Sequence, residues 1–178
     1  MSKTDNTVFI VLHVVAWIIF VGLSIEAGGL LVNFIFSVYN PEMLPKLYQK
    51  LDLREMYERS TMAYYSMYSF ILVISVLKAV MFYHVITLLS GLKLNNPFTL
   101  PVSKQIYTIS YYTLSIGLLS YIARQSAQWL QHRGIDTANL NAFWADSQAF
   151  VLMAAVIYVI AVIFKKGIEL QDEIDLTV

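Results

Sequence analysis

The sequence predicts an all-α fold: an integral membrane antiparallel four-helix bundle with an amphipathic surface helix between its first and second spans. Three observations predict it. Hydrophobic residues make up 58% of the 178-residue chain and charged residues 13%, against roughly 45–50% and about 25% in ordinary soluble domains. The apolar residues fall in four blocks, each close to or above the ~20 residues that cross a bilayer. Polar or proline-bearing segments separate the blocks and mark turns. One domain over residues 1–178 accommodates all of this.

Formal net charge is zero, so direct binding of nucleic acid by a basic surface is not expected. Cysteine is absent, which excludes disulfides and thiolate metal sites. A secretory signal is a poor reading of the N-terminus: the apolar run is too long, Lys3 is its only positive flank, and Glu26 interrupts it.

The first span, residues 8–39, stops at Asn40-Pro41, a turn signal. Gly22, Glu26, Gly29, Asn33 and Ser37 repeat at three- and four-residue steps and therefore share a helix face. Small residues admit a neighbouring helix and polar ones bond across the contact. Gly22, Gly29 and Asn33 are thus packing positions, and Glu26 faces protein rather than lipid. Residues 41–60 hold eight of the 24 charged residues. Leu44, Leu47, Tyr48 and Leu51 there follow helical spacing, which fits a helix lying on the membrane or a solvated connecting helix.

The second span, residues 61–90, opens with Tyr64, Tyr65 and Tyr68, the pattern of an interfacial aromatic belt, and carries Lys78 and His84. Residues 91–101 form a loop stiffened by Pro97. The third span, residues 102–133, continues past the membrane to Gly134, a C-terminal cap. Ser110, Thr113, Gly117, Ser120, Arg124, Gln128 and Gln131 make a second small-and-polar stripe, with Thr113 and Gly117 as packing positions. The fourth span covers residues 142–164, and residues 165–178 form a tail that is acidic beyond Lys165 and Lys166.

Antiparallel helices allow depths to be compared. With Val8, Ser90, Gln105 and Phe164 level with one membrane face, Glu26 is 18 residues from it, Arg124 is 19 and Asp146 is 18. That is roughly 27 Å at ~1.5 Å per residue. Arg124 between two carboxylates explains how Glu26 is tolerated, since a buried charge needs a partner. Lys78, 12 residues from the face, is the alternative partner. The cluster reads either as a structural clasp or as an ion or proton pathway.

His13 and His84 lie five and six residues from the same face. Paired imidazoles at matching depth are what a b-type haem or a metal site needs; two satisfied interhelical histidines leave the same trace. Nothing else indicates a cofactor or metal. No nucleophile–base pair, phosphate loop or carboxylate dyad stands out, so catalysis is not expected. Orientation is undecided by charge: Lys3, Lys93, Lys104, Lys165 and Lys166 on one face balance Lys46, Lys50, Arg54, Arg59 and Arg133 on the other.

The segments IEAGGLLVNFIFSVYNP, LKAVMFYHVITLLSGLKLNNPFT and FKKGIELQDEIDLTV resemble the bacterial domain-of-unknown-function family 2975. Its most specific marks are the NPF turn and the LQ-acidic-DLT ending, where this chain has Ile174 in place of a common asparagine. The resemblance implies a small four-helix protein of the bacterial inner membrane. Genes of such proteins often neighbour a small helix-turn-helix repressor of the Cro type. This implies a regulatory or sensory membrane protein, both termini cytoplasmic, that meets such a regulator through Glu169, Leu170, Gln171, Asp172, Glu173 and Asp175 of its tail. On the residues alone, that tail could equally dock on a basic partner, fold back under the bundle, or stay solvated. Two other functions compete: a channel or transporter component built on Glu26, Lys78 and Arg124, compatible with a homo-oligomer, and a haem- or quinone-binding redox protein.

Overall fold

Alanine sets how the helices of this protein meet. The computed structural model describes residues 3–39, 53–92, 96–144 and 146–175. These residues form α1 (Lys3–Tyr39), α2 (Arg54–Arg59), α3 (Thr61–Gly91), α4 (Leu100–His132), α5 (Asn141–Trp144) and α6 (Ser147–Asp175), with a 3-10 turn at Ala138–Leu140. They contain no strand. Four stretches are long and apolar enough to cross a membrane: Thr7–Tyr39, Thr61–Gly91, Leu100–His132 and Ala138–Ile174. The amphipathic reading of Leu44, Leu47, Tyr48 and Leu51 lies outside the described residues.

The long helices pack in chain order, α1 on α3, α3 on α4, and α4 on α6. Phe20 of α1 meets Tyr83, Leu30 meets Tyr68, and Ser37 meets Tyr65, so partners descend along α3 as they ascend along α1. Likewise Met81 meets Thr113 and His84 meets Gln105 between α3 and α4. Between α4 and α6, Tyr107 meets Tyr158 and Ser110 donates to the Ala154 carbonyl at 3.0 Å. The helix contacts close through small residues: Ala16 and Ala27 on α1, Ala123 and Ala127 on α4, Ala154 and Ala161 on α6 are all buried. Alanine keeps helix propensity high while letting backbones approach.

At Gly117 the approach of α4 to α6 is too close even for alanine. A β-carbon there would stand 2.8 Å from Val151 Cγ2, 3.0 Å from its backbone nitrogen and 3.2 Å from the Ser147 carbonyl oxygen. Gly22 and Gly29 differ: a β-carbon on either would meet nothing within 4 Å. The close packing expected of the α1 glycines is therefore carried by Ala27 and Leu30.

The tyrosines at the start of α3 are not a belt facing the interface. Tyr64 and Tyr68 are only 2% and 3% exposed and pack edge-on or tilted against Tyr57, Tyr65 and Phe34. The Tyr68 hydroxyl donates to the Leu30 carbonyl at 2.9 Å and the Tyr65 hydroxyl to the Ser37 carbonyl at 3.2 Å. Buried phenols need such acceptors, and helical spacing placed them under α1.

Gly134 ends α4 as expected. Its φ is +80°, its N–H bonds the Gln131 carbonyl at 2.9 Å, and the Ile135 N–H bonds Leu130 at 3.2 Å. These two bonds are the Schellman pattern, which favours glycine at the left-handed position. The connection after it folds back onto the bundle: Leu140 and Trp144 are buried, and Thr137 donates to the Ala127 carbonyl at 3.4 Å. Consequently α6 begins beside Gly117, partway along α4. Within the fourth apolar stretch the long helix α6 begins at Ser147, after the short α5, and runs through the tail to Asp175.

A candidate charged cleft

Ala27, Leu30, Phe34 and Ser37 form the line along which α1 meets α3. Glu26 is one residue off that line, a rotation of about 100°, which leaves it half-buried at the edge of the contact. It borders a cleft of about 550 Å³ lined by Gly22, Ile25 and Glu26 of α1, Lys78 of α3, Asn139 of the 3-10 turn, and Ala142 and Phe143 of α5. The missing side chain at Gly22 keeps the α1 wall low.

Lys78, which lines the same cleft from α3, is half-buried. It interacts electrostatically with both Glu26 and Asp146, and its ammonium lies 5.9 Å from the centre of the Phe150 ring, within cation–π range. No ion pair within 4 Å joins Lys78 to either carboxylate among the described residues. Glu26 and Lys78 share the cleft without neutralising each other by contact. Asp146 is exposed and sits just before α6, its carbonyl accepting from the Phe150 N–H at 3.1 Å.

Arg124 does not enter this group; it is exposed on α4. After Ser120 the buried track of α4 steps three residues to Ala123, then to Ala127 and Leu130. The polar stripe instead steps four, to Arg124, Gln128 and Gln131, all exposed. Equal depth on two helices does not bring side chains together when they project from different sides. Of the other expected packing positions, Thr113 and Gly117 are buried between helices, and Asn33 is half-buried.

The two histidines are engaged separately. His13 accepts from the Trp17 indole N–H at 3.1 Å, one turn along α1. His84 Nδ1 is 2.9 Å from Gln105 Oε1 and its ring stacks on Tyr112 with centres 5.2 Å apart. No group of three or more metal-binding side chains forms among the described residues. In the tail, Lys166 pairs with Glu169 at 2.6 Å. Leu170, Asp172, Glu173 and Ile174 are exposed, and Glu169 and Gln171 are half-buried. Asp175 is the last described helical residue.

Sequence reasoning missed Asn139, Ala142, Phe143 and Phe150. Asn139 lies in the connection after Gly134 and the other three in the fourth apolar stretch, and only the return of that connection to the bundle puts them beside Lys78.

Four helices long and apolar enough to cross a membrane mark the class as all-α with the composition of a multi-pass membrane protein. The chain belongs to the family described as Protein of unknown function (DUF2975), whose model matches residues 48–178. The match begins after α1, so Lys78, Asn139 and Asp146 fall within it and Glu26 precedes it. No curated protein and no solved structure matches the chain.

Proposed function

We propose that this is a non-catalytic regulatory or sensory protein of the bacterial inner membrane, with the charged cleft as its input and the C-terminal end of α6 as its output. Its four long helices insert as an antiparallel bundle with both termini in the cytoplasm, where the tail meets a partner such as a small helix-turn-helix regulator. One observation carries the reading. α6 is a single 29-residue helix, about 43 Å long at ~1.5 Å per residue, with Asp146 and Phe150 beside Lys78 at one end and the acidic tail at the other. A shift of its start at the cleft moves its whole length, because a packed helix transmits displacement as a rigid element. The exposed apolar residues Leu170 and Ile174, 59% and 62% exposed, flank Asp172 and Glu173 and offer a mixed acidic and apolar contact. A photo-crosslinker at Leu170, introduced in cells, tests this. It should capture a small cytoplasmic protein in full-length protein, lose it when Glu169, Asp172 and Glu173 are neutralised together, and change in yield with Lys78→Met. No adduct, or one indifferent to both changes, would overturn the reading.

The cleft also favours a second reading, a channel or transporter component. Charged side chains that line an open concavity in a membrane protein are the expected trace of a permeation path. Glu26→Gln should then abolish ion or proton flux in reconstituted vesicles while leaving the fold unchanged. Flux that is absent in the parent protein excludes this alternative.

A further inference from the structure

Two opposite charges line one cleft without contact, and that arrangement selects among ligands. Lys78 stands on the α3 wall and Glu26 on the α1 wall, with Asp146 in electrostatic reach of Lys78. A simple cation drawn to the carboxylates meets the Lys78 ammonium. A simple anion drawn to Lys78 meets the Glu26 carboxylate. A molecule carrying an ammonium and an anionic group a few bonds apart satisfies both walls, each end replacing water with a charge-assisted hydrogen bond. Asn139 adds a donor and an acceptor, and Ile25 and Phe143 supply apolar surface for the linking carbons. The volume, about 550 Å³, lies within the roughly 300–1,000 Å³ of small-molecule sites.

We propose that the cleft binds a zwitterion, its anionic end on Lys78 and its ammonium end on Glu26. Two sources share this chemistry: the phosphoethanolamine headgroup of a neighbouring lipid, and a free amino acid. The inference rests on the reading of the cleft as the input site. The test is calorimetry on the full chain in a non-ionic detergent, with glycerophosphoethanolamine, glycine, ethanolamine and dimethyl phosphate as probes.

At least one zwitterion should bind ten or more times tighter than ethanolamine or dimethyl phosphate. Lys78→Met and Glu26→Gln should each weaken it at least tenfold. Gly22→Leu keeps both charges but extends a side chain into a wall that is open at that position, and should weaken binding similarly with the fold intact. Preference for glycerophosphoethanolamine, matched by saturation of the site in phosphatidylethanolamine nanodiscs, assigns a lipid source; preference for glycine assigns a free one. Equal binding of ethanolamine alone, or binding of no zwitterion in either setting, overturns the proposal. If no zwitterion binds while Lys78→Met still alters crosslinking at Leu170, the ligand class fails and the input-site reading stands. If a zwitterion binds and crosslinking ignores it, the reverse holds.

Discussion

Glu26 of α1 and Lys78 of α3 line one cleft without forming an ion pair within 4 Å. A buried contact ion pair would act as a clasp, and removing one partner would cost about 3–5 kcal/mol through the stranded charge. The open arrangement predicts a smaller dependence. In a double-mutant cycle of Glu26→Gln and Lys78→Met, followed by thermal unfolding in detergent, the coupling should be about 1 kcal/mol or less. A coupling near 3 kcal/mol would mean that the walls close on each other in solution.

Gly117 should be intolerant of any side chain. A β-carbon there meets Val151 backbone and side chain and the Ser147 carbonyl at 2.8–3.2 Å, and backbone cannot swing aside as a side-chain end can. Gly117→Val should destabilise by about 1–3 kcal/mol, the usual cost of overpacking, or more. Gly22→Ala, with no neighbour within 4 Å, should be neutral or stabilising by up to about 1 kcal/mol through helix propensity. Unfolding midpoints of the pair give the comparison, and equal effects would contradict the packing described.

Tyr68→Phe removes the donor to the Leu30 carbonyl, 2.9 Å away, and little else. The loss should be about 0.5–1.5 kcal/mol, read as a lower unfolding midpoint. Tyr65→Phe, whose hydroxyl bond to Ser37 is longer at 3.2 Å and whose side chain is less buried, should cost less. The opposite order would show that the α1–α3 contact is anchored nearer Ser37.

Gly134→Ala forces an L side chain into a φ of +80° and puts its β-carbon 3.2 Å from the Arg59 guanidinium, which hydrogen-bonds the Gly134 carbonyl. A left-handed non-glycine residue costs roughly 1–2 kcal/mol. The loss should appear in equilibrium unfolding, and Arg59→Ala combined with it should show non-additivity because the two share one contact.

The match of the family model over residues 48–178 agrees with the resemblance carried by the NPF turn and the acidic ending. All-helical character, the four apolar lengths and the Gly134 cap were legible because each is local. Hydrophobic run length and a single glycine at a helix end need no knowledge of neighbours. The α3 tyrosines were legible as a cluster and misplaced in environment, since an amphipathic ring suits a buried acceptor as well as an interface.

What the sequence could not settle was which side of each helix meets its neighbour. The stripes of polar and small residues ran one position away from the contact line over most of α1 and, on α4, after Ser120, where alanine closes the contacts and carries no polar signal. One residue is about 100° of rotation, enough to expose Arg124 and to leave Glu26 at the rim of a contact rather than inside it. Length and composition determined that these helices exist and can cross a membrane. Only the tertiary structure decided that Lys78, and not Arg124, shares a cleft with Glu26, because that depends on the packing of α1 against α3 and on the return of the α4–α6 connection to their side.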